Sequence, residues 1–596
     1  MSNAQRIAPE PIAIIGIGSR FPGAPDADAL WKAISEGRDC ITDFPGGRST
    51  ELDAFYREAG AADRPPTRRG GFLTDVDKFD ANFFQISPRE AEWMDPQQRL
   101  LLEVAWEAIE DAGQSLEMLR SSVTGVFAGI WTNDYEIYAN ANSPTTDFFN
   151  VTGAVPYAAS GRIAYQFDLR GPDLSVNAAC AASLVAVHLA VRSLRSGESS
   201  MALAGGVNLI FRHEQTQAFQ HAGVLAKDGH CKFGDAGTDG IVRSEGAGIL
   251  VLKRLSDAQR DGDCILALIL GTAVANSGRG SGSLTVPSVA GEQQVMLAAV
   301  ADADISPASI QYVEAHGTGS RAGDPVELAA IASVFGGADR GSDPCLIGSV
   351  KSNIGHAEAA AGVAGIIKMI QALEHRVFPP TLHVQQPNPV IEWASSGIAL
   401  AREGSVWKRL GNAPRRAAVN GLALAGTNAH VVMEEAPKPV LVDSTKRSSY
   451  LLPISAASEA ALRERVQLFV AKLEALETAE DSDSRLRGLC YTAAVRRTHL
   501  SNRLAVVGAD AAQIRKRLED YLLGEGSPFL STDSSGVARE RKIAFVFPGQ
   551  GSQWIGMGRE LLTTEPVFRA AMEACDGEIQ RQAGWSVLDQ LRDDAA

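Results

Sequence analysis

The sequence predicts a layered α/β protein, because short apolar runs typical of strands alternate with helical segments. The first run, IAIIGI at 12–17, leads into a glycine-rich turn, which is typical of a buried strand that opens a fold. Four further strand-like runs follow at 124–129, 202–209, 247–252 and 264–270. The second half of the chain repeats this alternation.

Two helices are predicted near the start of the chain, at 26–36 and at 95–112. The second is amphipathic, with Asp95 at the N-cap position, Pro96 at the first helical position and Gly113 just past its end. Aspartate caps unpaired backbone N–H groups, proline already has a helical φ angle, and glycine accepts left-handed backbone. The sequence therefore defines both ends of this helix.

The composition changes at 434–449, a polar segment with two prolines that is typical of a domain boundary. After it we predict a small α/β unit at 438–540, with a helix at 458–473, an acidic loop at 478–484 and a strand at 503–508. A further buried strand, KIAFVF, is predicted at 542–547. Residues 541–596 are too few for an independent domain.

Charge and cysteine content exclude several classes of protein. The 596 residues include 56 basic and 71 acidic side chains, a net charge of −15, so the chain has no overall attraction to nucleic acid or to anionic membranes. Seven cysteines without a C-x-x-C pair fit neither a disulfide framework nor a zinc ribbon. The longest apolar run, 264–275, is too short for a spanning helix, and the N-terminus does not read as a signal peptide. We expect a cytoplasmic protein.

Cys180 follows a strand-like run and begins a long apolar segment, VNAACAASLVAVHLA. A thiol at a helix N-terminus lies at the positive end of the helix dipole, which favours the nucleophilic thiolate. Backbone N–H groups at such a position also suit an oxyanion. Taken alone, a buried cysteine is more often an inert apolar residue.

Two glycine-dense turns strengthen the catalytic interpretation. One, EAHGTGSRAGDP, contains His316, and the other, GSVKSNIGH, contains Lys351 and His356. A single histidine in such a loop is usually structural. One cysteine, two histidines and a lysine, each in a turn of small residues after a strand, are harder to explain by chance.

These motifs, together with IAIIGIGSRFPGA, DPQQRLLLEVAWEAIEDAG and GTNAHVVMEEAP, closely resemble the β-ketoacyl synthase domain of modular type I polyketide synthases. The resemblance implies a thiolase-like layered fold of two duplicated α/β halves, followed by a small α/β linker domain. It divides the chain into a leader at 1–11, a ketosynthase at 12–437, a ketosynthase-acyltransferase linker at 438–540 and an incomplete acyltransferase start at 541–596.

The resemblance also assigns roles to residues of this sequence. Cys180 would accept an acyl chain from a thioester. His316 and His356 would polarise a malonyl-type thioester and stabilise the enolate formed on decarboxylation. Lys351 would support the two histidines, and Cys180 matches the condensing form of the domain, because the loading-type decarboxylase form has glutamine there.

The remaining assignments concern the substrate channel and its surroundings. Thr318 and Ser320 match hydroxyls that bind the pantetheine arm of the carrier substrate. Asn428 lies in the GTNAH loop, which closes over the active site in the family and completes the oxyanion hole with the Cys180 N–H. Leu422, Leu424 and Gly426 occupy the gating loop, whereas His430 is expected to be structural.

Two departures from the family pattern concern the thiol pocket and the gating loop. Ala181 and Ala182 replace the serines that usually follow the nucleophile, which leaves a less polar thiol pocket. Burial raises a thiol pKa while the helix dipole lowers it, and the sequence does not decide between them. Leu422 and Leu424 replace gating phenylalanines, so we predict altered gating or a wider acyl channel.

The resemblance implies a homodimer that uses acyl and malonyl-type thioesters, with phosphopantetheine carried by a partner acyl carrier protein. No cofactor, metal, nucleic acid or membrane is expected on this chain. Gln550 matches an acyltransferase oxyanion position, but the G-H-S-x-G serine motif is lacking, so no acyltransferase activity is expected. The alternatives are a fatty-acid-type condensing enzyme or thiolase, and a non-catalytic docking or gating fragment.

Overall fold

The structure is a computed structural model of the whole chain. It describes residues 9–48, 53–54, 68–120, 122–142, 147–280, 282–337, 343–438, 447–479, 481–533 and 544–592. The chain forms two compact units, Met1–Ser535 and Gly536–Ala596, which are described separately below.

The strands of the first unit are numbered β1 to β18 in chain order. They are Ile12–Arg20, Thr42–Asp43, Arg69–Gly70, Thr124–Ile130, Asp173–Val176, Met201–Asn208, Gly246–Arg254, Ala267–Asn276, Tyr312–Glu314, Cys345–Gly348, Val377–Phe378, Ile398–Leu400, Ser405–Val406, Arg416–Leu422, Thr427–Glu435, Tyr450–Ala456, Asn502–Gly508 and Leu530–Asp533.

The α-helices of the first unit are numbered α1 to α17. They are Ala27–Ser35, Pro88–Trp93, Pro96–Asp111, Leu116–Arg120, Asp134–Asn142, Phe148–Gly153, Ala158–Phe167, Ala182–Ser196, Glu214–His221, Leu255–Asp261, Val289–Asp302, Gly323–Phe335, Lys351–Ile354, Ala361–His375, Glu459–Glu477, Ser482–Val495 and Ala511–Leu522.

The predicted helix ends are confirmed for α1 and α3. The Asp26 side chain accepts a hydrogen bond from the N–H of Ala29, and that of Asp95 accepts one from Gln97. Gly113, just past α3, has a φ of 63°, where glycine is at no disadvantage. Strand β8 differs from the prediction, because it begins at Ala267 and continues to Asn276.

An 11-stranded sheet organises the first unit, in the order β12-β10-β9-β14-β15-β8-β1-β7-β6-β4-β5. From β1 outward to β5, the pairings are antiparallel, antiparallel, parallel and parallel. From β8 outward to β10 the same series recurs. Strand β1 also pairs with β8 and joins the two series. The predicted duplication of α/β halves is thus visible in the strand pairing.

Two central helices, α8 and α14, each pack against strands of both halves. Both are 15 residues long and follow a three-residue 3-10 turn, Ala179–Ala181 before α8 and Glu358–Ala360 before α14. Helix α14 is buried over Ala361–Leu373. These helices hold the two turns in the interior, where the candidate site lies.

The last part of the first unit has its own apolar core, built around a three-stranded antiparallel sheet of β16, β17 and β18 with helices α15 to α17. Arg496 joins it to the main sheet domain through Asp263, at 3.1 Å. Arg465 does the same through Glu110, at 2.9 Å. The predicted helix at 458–473 extends to Glu477, and part of the predicted acidic loop is the start of α16.

The second unit is helical in its described residues, with α18 at Arg559–Thr564, α19 at Pro566–Ala583 and α20 at Val587–Arg592. The predicted strand at 542–547 is wrong for its described part, 544–547; the rest lies outside the described residues. Phe545, Val546 and Phe547 are more than 80% exposed. A strand needs a hydrogen-bonded neighbour, and no other described residue of this unit is in a strand.

No helix among the described residues is long and apolar enough to cross a membrane.

Candidate active site

Cys180 lies in the 3-10 turn between the edge strand β5 and the central helix α8. The preceding residue, Ala179, has a φ of 46°, a left-handed conformation that costs a residue with a Cβ about 1–2 kcal/mol. The side chain of Asn177 holds this bend by accepting the N–H of Ala179 at 3.2 Å. The thiol is therefore displayed on a strained, buried turn just before the helix.

Burial determines the state of this thiol. It raises the pKa of Cys180 to about 12, and the carboxylate of Glu358 adds to the rise. The cation Lys351, the backbone N–H at Cys180 and Arg243 act in the opposite direction but do not outweigh burial. Burial therefore outweighs the opposing influences, a balance that the sequence leaves undecided, and keeps the thiol protonated at neutral pH.

His316 follows strand β9, and its backbone is fixed by a buried carboxylate on α12. Glu327 accepts the N–H of His316 at 2.6 Å and the N–H of Gly317 at 2.7 Å. It also accepts the side-chain amide of Asn420 at 2.8 Å, whose oxygen accepts from His430 at 2.5 Å. His430 is fully buried and hydrogen-bonded, as a structural residue would be.

His356 follows the short helix α13 and is held by strand-like pairing with the segment before β7. Its N–H donates to Val242 at 2.7 Å, and its carbonyl accepts from Ser244 at 2.9 Å. The ring nitrogen Nδ1 accepts the N–H of Glu358 at 3.3 Å. In a neutral imidazole the hydrogen then resides on Nε2, which is available as a donor.

The two imidazoles lie edge to face, with ring centroids 5.1 Å apart and planes at 87°. Burial lowers the pKa of both rings well below the ordinary histidine value, and the nearby charge of Lys351 lowers it further. Both are therefore neutral at pH 7. The structure brings His316 and His356 together as the sequence predicted.

Lys351 places a positive charge near Cys180 and the two histidines. It is buried, and burial lowers its pKa, while the carboxylates of Glu314 and Glu327 oppose that shift. Its charge acts on Cys180 and on both histidines. Ser349, two residues earlier, ties this turn to the His316 loop by donating to the carbonyl of Gly317 at 2.8 Å.

Two buried ion pairs near the candidate site were not predicted from the sequence. Arg243 contacts Glu358 through two hydrogen bonds of 2.6 and 3.1 Å. Lys368 on α14 contacts Glu314 at 2.6 Å, and Glu314 also accepts the N–H of Val350 at 2.6 Å. A charged residue inside an apolar helix, as in GVAGIIKMI, is the sequence signal that points to such a pair.

Thr318 and Ser320 lie on the turn that leads into α12. Thr318 is buried. The backbone N–H groups of Gly319 and Ser320 donate to Asp324 at 3.1 and 3.0 Å, and the Ser320 hydroxyl accepts the N–H of Gly323 at 3.0 Å. A hydroxyl that accepts one hydrogen bond can still donate one, so Ser320 can bind a further acceptor.

The predicted GTNAH loop is largely a strand, which corrects the expectation. Asn428 lies on β15 opposite Leu422 of β14, and its side chain donates to Ser277 at 2.9 Å. Only the turn between the strands is loop, with Leu424 at 44% exposure and Gly426 at a φ of 79°. The alternating apolar residues that follow, AHVVM, favour a strand and could have shown this. Both strands pack against the Cys180 turn.

Comparison with family models identifies most of the chain. Residues 9–258 match the N-terminal domain of beta-ketoacyl synthases, and residues 266–385 match the C-terminal domain of the same family. Residues 450–518 match a CurL-like C-terminal region of polyketide synthases, and residues 544–595 match an acyl transferase domain.

Curated relatives include polyketide synthase GfsE of Streptomyces halstedii, 42% identical over 585 residues, and the phenolphthiocerol synthesis polyketide synthase Pks15/1 of Mycobacterium bovis, 42% identical over 596 residues. These alignments cover 97% and 98% of this chain. The chain spans only 15% of the first relative and 28% of the second.

Solved structures align with this protein over nearly the whole length of both chains. The oxazolomycin ketosynthase domain OzmH KS7 of Streptomyces albus JA3453 has a TM-score of 0.80 and 34% identity, covering 88% of this chain and 90% of that one. The ketosynthase from module 6 of the bacillaene synthase of Bacillus subtilis 168 has a TM-score of 0.77 and 32% identity, covering 98% and 96%. The predicted thiolase-like fold is confirmed, and the chain belongs to the β-ketoacyl synthase family, as a ketosynthase of the polyketide synthase type.

Proposed function

We propose that this chain extends a polyketide by decarboxylative Claisen condensation, with Cys180 as the nucleophile. Ketosynthase domains of polyketide synthases carry out this reaction. One observation carries the assignment of residues: the Glu358 N–H occupies Nδ1 of His356, so that Nε2 of this neutral ring holds a hydrogen to donate. The 3-10 turn after His356 packs against the Cys180 turn, and a neutral donor there suits enolate stabilisation.

The reaction proceeds in two stages. In the first, the sulfur of Cys180 attacks the carbonyl carbon of an acyl thioester, and the carrier thiol leaves with the proton that Cys180 gives up. In the second, a malonyl-type thioester loses carbon dioxide, and the electron pair of the broken C–C bond forms an enolate. The enolate carbon attacks the acyl group on Cys180. Cys180 leaves and takes up a proton, and the chain is two carbons longer.

His316 and His356 serve the second stage by donating hydrogen bonds to the enolate oxygen. A well-placed donor in a site that excludes water typically contributes about 3–4 kcal/mol to the transition state. Lys351 supports this role because its charge opposes protonation of either ring. The rings then donate hydrogen bonds without acting as strong acids.

The substrate arrives on the phosphopantetheine of an acyl carrier protein, and Thr318 with Ser320 binds that arm. The capacity of the Ser320 hydroxyl to donate a further hydrogen bond supports this assignment. The end of β14 at Leu422 and the hairpin turn with Leu424 and Gly426 gate the acyl channel, and the backbone around Asn428 contributes to the oxyanion site. The packing of β14 and β15 on the Cys180 turn supports both roles.

The chain functions as a homodimer that pairs through β5. This strand is an edge of the large sheet, with β4 as its neighbour on one side. Leu174 on β5 is 46% exposed, and Tyr157 and Tyr165 beside it are 63% and 86% exposed. Sedimentation velocity tests this proposal: a particle of twice the mass of one chain is expected, and a monomer at all concentrations contradicts it.

We divide the chain into three parts: the main domain at 12–437, the linker domain at 438–540 and the acyltransferase portion at 541–596. The separate apolar core around β16 to β18 supports a distinct linker domain, and the family matches support a distinct acyltransferase portion. Chemistry is assigned to the first domain only.

Intact mass spectrometry and carbon dioxide release test the proposed function. Wild-type protein incubated with an acyl thioester gains one acyl mass, and Cys180→Ala gains none. His356→Ala acylates within a few-fold of wild type but loses about 10²–10³-fold in condensation with a malonyl-loaded carrier. His221→Ala, which changes an exposed histidine at the end of α9, is the matched control.

Acylation of Cys180→Ala equal to wild type, or full condensation by His356→Ala, contradicts the assignment. A wild type that takes up no acyl group supports the docking or gating alternative instead.

A further inference from the structure

A second cluster of chemically active side chains lies apart from Cys180 and the catalytic histidines. Asp39 is on the loop after α1, His230 on the loop before β7, and His383 on the loop after β11. One ligand atom from each comes within 4.8 Å of the other two. Three segments remote in sequence thus converge on one point.

The distances fit a tetrahedral metal site. Oδ2 of Asp39 lies 2.9 Å from Nδ1 of His230 and 3.6 Å from Nε2 of His383. A zinc ion binds nitrogen and oxygen at about 2.0–2.1 Å, which puts two tetrahedral ligands roughly 3.3–3.4 Å apart. The observed separations lie on either side of that value. The two imidazole centroids are 4.5 Å apart.

One ring nitrogen of His383 lies close to the Asp39 carboxylate. This nitrogen, Nε2, is buried, makes no hydrogen bond among the described residues and lies 3.6 Å from Oδ2 of Asp39. In the neutral tautomer with the hydrogen on Nδ1, Nε2 presents a lone pair. A cation bound to both that lone pair and the carboxylate would satisfy the two groups.

His230 also has a buried ring nitrogen close to Asp39. Its Nδ1 is buried and close to Asp39, but it has no aligned hydrogen-bond partner among the described residues. The guanidinium of Arg69 lies 3.5 Å from the other ring nitrogen, Nε2. That positive charge weakens cation binding, so we expect a lower affinity than in a closed structural zinc site.

The geometry points to a divalent transition-metal site, of the kind that takes Zn²⁺, formed by Asp39, His230 and His383 with a fourth position for water. Two imidazoles and one carboxylate suit Zn²⁺ or Co²⁺, whereas Mg²⁺ and Ca²⁺ prefer oxygen ligands throughout. The ion cross-links three loops.

The cross-linked loops adjoin the turn that carries Lys351. The backbone N–H of Leu382 donates to the Ser352 hydroxyl at 3.0 Å, and the backbone N–H of Cys40 donates to the carbonyl of Asn353 at 2.8 Å. The side chain of Asn353 donates to the carbonyl of Arg38 at 3.0 Å. Metal binding therefore stabilises the scaffold behind the catalytic site.

Cobalt titration tests the site in a Cys180→Ala background, which removes the catalytic thiol as a competing ligand. We expect one equivalent of Co²⁺ with the visible bands of tetrahedral coordination, displaced by Zn²⁺, and a higher Tm with Zn²⁺ that a chelator reverses. Asp39→Ala and His383→Ala should each weaken binding at least tenfold, and His221→Ala, which changes an exposed histidine, should leave it unchanged.

Absence of binding, equal binding in the ligand variants, or an equal loss in His221→Ala overturns the proposal. Thermal unfolding of each variant without metal shows whether it folds. If His383→Ala does not, His383→Gln replaces it. A chelator-reversible rise in wild-type Tm that persists in the ligand variants also counts against the site.

Discussion

In the first half of the main domain, Ala179, at a φ of 46°, begins a 3-10 turn that leads into the 15-residue helix α8. In the second half, Glu358, at a φ of 47°, begins a 3-10 turn that leads into the 15-residue helix α14. Residues 179 apart therefore correspond. The residue after the strained position is Cys180 in one half and Ala359 in the other. The duplication repeats the backbone geometry in both halves, but only the first half has a cysteine at this position.

At two corresponding positions the second half has a charged side chain where the first half has an apolar one. Glu358 replaces Ala179, and the buried Lys368 replaces Leu189. Glu358 fixes the tautomer of His356, and the Lys368 partner Glu314 holds the turn before Lys351. The comparison indicates that the first half carries the proposed nucleophile, while the second half carries the two histidines proposed as neutral donors.

Moving the nucleophile to the corresponding position gives the largest expected effect. Cys180→Ala abolishes acyl loading, and adding Ala359→Cys does not restore it, because Ala359 is fully buried whereas Cys180 retains 7% exposure. Intact mass after incubation with an acyl thioester measures both. Acylation of the double variant would show that the two turns are chemically interchangeable.

The sequence predicts the candidate reacting groups better than the residues that support them. Cys180, His316 and His356 are predicted because each lies in a motif of small residues that resembles the ketosynthase family. Glu327, Asn420 and Arg243 were missed because their partners are 11 to 115 residues away, and no local pattern encodes such contacts. The direction of the Cys180 pKa depends on burial, which is a property of the folded chain.

Replacing the corresponding residues of the central helices should separate the halves by stability. Lys368→Met leaves Glu314 charged and buried without its partner, so the free energy of unfolding should fall by about 3–5 kcal/mol. Leu189→Met conserves volume and should cost less than about 1.5 kcal/mol. Urea unfolding of both variants measures the difference.

A second substitution controls for the charge. Adding Glu314→Gln to Lys368→Met removes the unpaired carboxylate but keeps an oxygen for the N–H of Val350. The double variant should regain part of the lost stability. Equal losses in Lys368→Met and Leu189→Met would mean that the ion pair contributes nothing particular to the second half.

The pH dependence of thiol reactivity tests how the first half controls its nucleophile. Because burial raises the pKa of Cys180 to about 12, the thiolate fraction grows about tenfold per pH unit throughout the neutral range. The rate of alkylation by iodoacetamide should therefore rise roughly 100-fold from about pH 7 to 9 without a plateau. Mass spectrometry follows the reaction, with Cys180→Ala as the blank; a plateau near neutral pH would show that the helix start outweighs burial.

Glycine at the two strained positions gives the smallest effect and the finest comparison. Ala179→Gly relieves a left-handed backbone and makes no contact worse, so the free energy of unfolding should rise by up to about 1 kcal/mol, reduced by the greater freedom of glycine in the unfolded chain. Glu358→Gly relieves the same strain but leaves the buried Arg243 without its carboxylate, and should destabilise the protein. Chemical denaturation of both variants shows whether each substitution raises or lowers the free energy of unfolding. If both changes stabilise the protein, strain rather than charge dominates each turn, and the second half gains no stability from its ion pair.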